Sequence, residues 1–261
     1  MIQPMDLNEL LTIMERLRSV NGCPWDKVQT RESIKPYLIE EAYELLEAIE
    51  EDDPEKIREE LGDLLFQIVF QCQIAREKGE FDMSGVLEKI GEKMVSRHPH
   101  VFGEAECRTP GEVVKQWEVI KKQEGKLRDS ILEGVPKAMS SLLRAHRLQK
   151  RAAQAGFDWD KVEDVLKKVD EEMQELKDAL KSGKREEMED ELGDIFFMLV
   201  NLSRFMKVNP EDAHRKTISK FISRFRHIEM KAAEQGRELS DMTLGEMDKL
   251  WDEAKRIERK G

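Results

Sequence analysis

Glutamate stands twice in this chain where a helix should carry only apolar residues. On a wheel at about 100° per residue, Val165, Val169, Leu176 and Leu180 form one stripe, and Glu172 falls inside it. Ile34, Leu38, Leu45 and Ile49 form the same stripe around Glu41, which lies 131 residues earlier (172 − 41). Each glutamate has company. Glu175 shares the face of Glu172, and Glu191-Leu192-Gly193-Asp194 brings two more acids to one side of a following helix. That helix continues Ile195-Phe196-Phe197-Met198-Leu199-Val200, apolar on every side, which predicts burial. The earlier copy has Glu44, then Glu60 and Asp63 before Leu64-Leu65-Phe66. An ionised carboxylate taken out of water is very costly unless it is paired or bound to a metal. A single glutamate could pair with an internal Lys or Arg. Four acids in two copies favour a divalent cation, and oxygen-only ligands suit Mg²⁺ or Mn²⁺ rather than zinc. A di-iron bundle would need Glu-x-x-His, which the sequence lacks.

The acids are part of a longer repeat. Asn21-Gly-Cys-Pro-Trp-Asp-Lys-Val28 matches Ala155-Gly-Phe-Asp-Trp-Asp-Lys-Val162, and Thr109-Pro-Gly-Glu-Val-Val-Lys-Gln-Trp117 matches Thr243-Leu-Gly-Glu-Met-Asp-Lys-Leu-Trp251, both at an offset of 134. Two domains are therefore expected, 1–125 and 126–261, joined by a Gly- and Pro-containing linker over 125–136. Periodicity and end signals predict helices over 6–20, 32–51, 54–78 and 83–97, and from Pro110 onward. Cys23–Val28 and His98–Gly103 read as loops. Residues 137–154 read as a helix rich in Lys and Arg. No sustained period-two alternation appears, so the fold class is all-α.

A basic pair accompanies the acids. Lys220 and Arg224 lie four apart beside an apolar side of Ile218, Phe221, Phe225 and Ile228, and Lys89 and Lys93 occupy their places in the first half. Such a pair suits phosphate oxygens. Lys168 shares a face with Glu172, whereas the first half has Tyr37 there. Trp117 and Trp251 can stack a base or simply pack. His98 and His100 flank a proline, without counterpart in the second half. A Gly-rich phosphate loop, a nucleophile elbow and a Ser/His/Asp set are all missing, which disfavours a side-chain nucleophile. A net charge of −11, with 38% of residues charged, argues against nonspecific nucleic-acid binding. Three cysteines without metal-ligand spacing fit a reducing cytoplasm. No signal peptide is visible, and no apolar run nears the ~20 residues that span a bilayer.

Glu-Glu-x-x-Glu followed by Glu-x-x-Asp, with Asn-Gly-Cys-Pro-Trp-Asp and Arg-His-Pro-His-Val-Phe-Gly, resembles the MazG nucleoside triphosphate pyrophosphohydrolases of the tandem, two-domain type. The resemblance runs along the whole chain. It implies two helical-bundle domains of the all-α NTP pyrophosphatase type, a homodimer, Mg²⁺, and hydrolysis of a nucleoside triphosphate to monophosphate and pyrophosphate. It implies Glu172, Glu175, Glu191 and Asp194 as metal ligands, with Glu41, Glu44, Glu60 and Asp63 as first-half equivalents. Lys168, Lys220, Arg224 and Trp251 would hold the nucleotide. Glu171, Glu172 and Glu175 would form the catalytic set, with Glu171 taking a proton from the attacking water. The second domain would be the active one and the first structural or weakly active. A regulatory nucleotide-binding module without turnover is the alternative.

Overall fold

The computed structural model describes residues 6–123 and 130–259. Every regular element among them is helical. The chain divides into two compact units, Met1–Lys126 and Leu127–Gly261.

In the first unit, α1 (Leu7–Arg18) starts at a capping box in which Asp6 and Glu9 satisfy each other's backbone amides. Gly22 turns the chain so tightly that a Cβ would lie 2.1 Å from the Leu17 carbonyl oxygen. The next segment, expected as a loop, forms a short helix α2 (Pro24–Val28), because Pro24 at its first position presets the helical φ. Helix α3 (Arg31–Glu51) opens on a Thr30–Ser33 capping box and closes at Asp52. Asp53 then caps α4 (Pro54–Glu77), so a two-residue link folds α4 back along α3. Helices α1 and α5 (Met83–Arg97) pack on α4. Met14, Ile34, Val69, Phe70 and Met83 form the core between them. Each such side chain contributes about 1.5–3 kcal/mol when taken fully out of water. His98–Gly103, also expected as a loop, contains the single turn α6 (Pro99–Phe102), again opened by proline. Helix α7 (Pro110–Gln123) packs on α5.

The second unit repeats the plan. Of the expected linker, 125–129 lie outside the described residues, whereas Val135 is buried and Arg151 holds the carbonyls of Ile131 and Glu133. The basic helix is shorter than expected: α8 spans Ser141–Gln154, because Pro136 turns the chain and Ser140 provides the cap. Helices α9 (Val162–Ser182) and α10 (Arg185–Phe205) form the second hairpin, reversed at Gly183, whose φ of 70° suits glycine. Helix α8 packs on α10 and on α11 (Pro210–Glu234), and α12 (Leu244–Glu258) packs on α11.

Burial of α10 on every side is not what forms. Ile195, Met198 and Val200 are buried, but Phe196 is 55% exposed, with Leu192 and Leu199 exposed on the same stripe. Helices α8 and α9 cover two sides of α10 and leave this one open. Leu61, Leu65 and Ile68 form the equivalent open stripe on α4. Ile49 and Leu180 are also exposed, since they lie in the last turns beside the hairpin links.

Candidate active site

Each hairpin brings acids from its two helices together. In the second unit, Glu172 and Glu175 of α9 and Glu191 of α10 each present an oxygen within 4.8 Å of the other two. Glu172 is only 6% exposed, as its place inside the apolar stripe requires. The hydrogen bond between Glu175 and Glu172 raises the Glu175 carboxyl above its ordinary range, helped by burial and by the charges of Glu172 and Glu191. These acids repel one another and are short of positive charge. One cation is already present. The Lys168 ammonium lies 2.8 Å from Glu171 and 2.9 Å from Glu172. Those two hydrogen bonds raise its own pKa, that to Glu171 most. Asp194 is exposed on α10 and is not part of the convergent three.

The first unit assembles a different three. Glu41 of α3 meets Glu60 and Asp63 of α4, while Glu44 stays outside. Burial raises the carboxyls of Glu41 and Glu60, and the charges of Glu44 and Asp63 add to it at both. The Gln67 amide donates to Glu41 at 3.3 Å and partly opposes the rise. Tyr37, at the place of Lys168, packs edge-on against Trp25 with ring centres 6.0 Å apart.

The basic pair of the second unit belongs to a separate cluster on α11 and α12. The Arg224 guanidinium sits 5.3 Å over the Trp251 ring. Both Glu258 oxygens accept from Arg224, the shortest contact being 2.8 Å, and this holds the Glu258 carboxyl below its ordinary range. Phe221 meets Trp251 at a tilt, with ring centres 5.3 Å apart. Lys220 is exposed. Helix α11 also packs on α10, but among the described residues no ion pair or hydrogen bond links this cluster to the acids. Sequence reasoning missed Glu258. Only its register with Arg224 across two packed helices identifies it, and local spacing does not carry that.

The two histidines are occupied locally. His98 Nδ1 lies 2.6 Å from the Met94 carbonyl, and His100 Nδ1 lies 3.1 Å from Gln116 Oε1. The His98 ring meets Trp117 edge-on at 5.0 Å.

The chain matches the MazG nucleotide pyrophosphohydrolase domain twice, over residues 29–102 and 160–229. It is 47% identical over 248 residues to a Thermotoga maritima protein named nucleoside triphosphate pyrophosphohydrolase/pyrophosphatase MazG, covering 95% of this chain and 94% of that one. It is 42% identical over 259 residues to the Escherichia coli nucleoside triphosphate pyrophosphohydrolase, covering 97% and 98%. A solved structure of a mazG-related protein from Thermotoga maritima aligns with 44% of this chain and 99% of its own, at 31% identity and a TM-score of 0.39.

Proposed function

The chain belongs to the MazG nucleotide pyrophosphohydrolase family, and from that premise we propose that it hydrolyses nucleoside triphosphates, ribo- or deoxyribo-, to the monophosphate and pyrophosphate. The observation that carries the reading is the convergence of Glu172, Glu175 and Glu191, in a chain that aligns almost end to end with relatives named for this reaction.

The acids fit Mg²⁺ or Mn²⁺. Every donor is an oxygen, and three of them reach a common point. Glu172, Glu175 and Glu191 would hold the ion, with Asp194 as the fourth ligand. When bound, such an ion offsets the charge of the triphosphate and lowers the pKa of water. The side chains of this chain do the rest. Glu171, exposed beside the buried Glu172, takes the proton from the attacking water. Lys168 exchanges its carboxylate partners for phosphate oxygens. Lys220 and Arg224 stabilise the departing pyrophosphate, and Arg224 loosens its grip on Glu258 to do so. Trp251, in contact with Phe221 and with the Arg224 guanidinium over its ring, offers an edge for the base.

The second unit is the catalytic one on this reading. The first keeps a metal-binding set and is structural or weakly active. The open apolar stripes on α4 and α10 support a homodimer that covers them. The free thiols of Cys23, Cys72 and Cys107 support a cytoplasmic location. Among the described residues, no helix is long and apolar enough to cross a membrane. The charge of −11 disfavours nucleic acid as a partner. A nucleotide-binding module without turnover is favoured only for the first unit, where Tyr37 stands in place of Lys168.

Pyrophosphate release from a mixture of nucleoside triphosphates tests the reading. Release should require Mg²⁺ or Mn²⁺, and Ca²⁺ should support it poorly because it prefers longer, looser coordination. Full turnover in excess chelator would overturn the metal site. Tight nucleotide binding without release under Mg²⁺ would leave the regulatory module.

A further inference from the structure

Helix α8 places basic side chains in an acidic protein, and the acid site uses none of them. Two of its residues, His146 and Lys150, face Arg204 and Lys207 at the C-terminal end of α10 across a cavity of about 620 Å³. Ala153, Gln154, Val208 and Asn209 complete the lining, and every ionisable group in it is basic. Arg204 is answered from outside the cavity by Asp158, which takes both prongs of its guanidinium, and by Asn201. Lys150 and Lys207 have no such answer: among the described residues neither ammonium has an ion-pair or hydrogen-bond partner. Burial, Lys150 and Arg204 together push the His146 imidazole below its ordinary value, so it is neutral near pH 7 and can donate one N–H. Two ammonium groups without counter-charge around one cavity create a positive potential that an anion would relieve.

The backbone of Lys207 gives a second, independent sign. Its φ is 57°, in the left-handed region. It follows the cap of α10, where the Val208 amide reaches back to the Ser203 carbonyl at 2.9 Å. Helix α4 of the first unit closes in the same way, with the Glu80 amide 3.0 Å from the Ala75 carbonyl. There the left-handed residue is Gly79, at φ 68°. Glycine adopts this backbone without a Cβ penalty and lysine does not. The second unit keeps a strained lysine where the fold asks only for glycine, and that lysine lines the cavity.

Along α10, Arg204 lies 13 residues beyond Glu191 (204 − 191), roughly 20 Å at the helical rise. The cavity is therefore not an extension of the acid site. We propose that it is a second anion site in this chain, taking the phosphate group of a small phosphorylated molecule or free phosphate. Lys150 and Lys207 would act as point charges and His146 as a neutral donor, with Arg204 held in the wall by Asp158 and Asn201. The proposal does not depend on the hydrolytic reading, because binding here needs neither metal nor turnover.

Calorimetric titration of the full chain, dialysed free of metal, tests it with inorganic phosphate, pyrophosphate and a nucleoside monophosphate as separate arms. Saturable binding that weakens with added salt is expected in at least one arm. The tightest arm identifies whether free phosphate or a phosphate ester is recognised. Lys207→Gly is the informative variant. It removes the ammonium and relieves the left-handed strain, so it should keep or raise the melting temperature while weakening binding at least about tenfold. Lys150→Gln should weaken binding similarly. The proposal is overturned if no arm saturates in the millimolar range. It is equally overturned if Lys150→Gln and Lys207→Gly leave binding unchanged.

Discussion

In α3–α4, the glutamate set into the apolar stripe leans on a neutral amide. In α9–α10 its counterpart is met by an ammonium. Glu41 accepts from Gln67, whereas Glu172 pairs with Lys168. An amide orients a carboxylate without cancelling its charge; the carboxyls are raised in both units, at Glu41 and Glu60 chiefly by burial and at Glu175 chiefly by its hydrogen bond with Glu172. A lysine cancels charge and, under the proposed function, can pass to phosphate when the acids take a metal. Inheriting the same carboxylates twice therefore does not give two equal sites. The counter-charge beside them differs, and so do the three acids that converge: Glu172, Glu175 and Glu191 in one unit, Glu41, Glu60 and Asp63 in the other.

Removing that counter-charge should sharpen the contrast most. Lys168→Met should lower kcat/KM for nucleoside triphosphates by roughly a hundredfold. It should also destabilise the metal-free protein by about 1–2 kcal/mol, between the values for exposed and buried pairs, because Glu172 is left unpaired. Added Mg²⁺ should close most of that gap in a thermal melt. Tyr37→Phe should leave both readouts nearly unchanged. Equal losses from the two variants would break the comparison.

A smaller effect is expected at the basic cluster. Arg224→Lys keeps the charge but loses the two-pronged grip that would steady the departing pyrophosphate, so steady-state kinetics should show kcat falling roughly tenfold with KM less affected. Lys93→Arg, the reciprocal change in the first unit, should leave both constants as they were. A gain in turnover from Lys93→Arg would mean that the first unit is one side chain short of activity.

The smallest expected effect lies at the caps of the last helix in each unit. Glu246 reaches back to the Thr243 amide at 2.8 Å and also meets Arg237 at 2.9 Å. Chiefly through Arg237, its carboxyl is pushed down to about 2. Glu112, its counterpart at the offset of 134, is lowered mainly by the Arg108 amide, and Gly103 stands where the second unit has Arg237. A depressed carboxyl stabilises the fold above its ordinary value of 4.5 and loses that contribution as pH falls towards its folded value. The melting-temperature loss from Glu246→Gln should therefore hold steady down to about pH 4.5 and vanish towards about pH 2. Glu112→Gln should show a smaller loss. Indistinguishable profiles would remove Arg237 from the contrast.

Much of this was legible in the sequence, for reasons tied to period and spacing. The hairpins follow from apolar residues at helical spacing, and the acids from charges breaking that spacing twice. Lys168 and Glu172 are four apart on one helix, so their shared face could be read directly. The short helices Pro24–Val28 and Pro99–Phe102 could not, because one turn shows no period and each begins on a proline that also suits a loop. The exposure of Phe196 was hidden because a run apolar on every side does not say which side goes uncovered. Glu258 and Arg224 are 34 residues apart (258 − 224) and meet only through the packing of α12 on α11. Which three of four acids converge depends on side-chain directions across a hairpin, and spacing does not supply those.

Most at stake is whether the second hairpin carries the chemistry, with the first structural or weakly active. The most direct measurement is pyrophosphate release by the full-length chain carrying either Glu172→Ala or Glu41→Ala, under saturating Mg²⁺, with helicity checked by circular dichroism. Glu172→Ala should abolish turnover with the helical fold intact, and Glu41→Ala should retain it within about twofold. Equal losses from the two substitutions, or a loss confined to Glu41→Ala, would contradict the account.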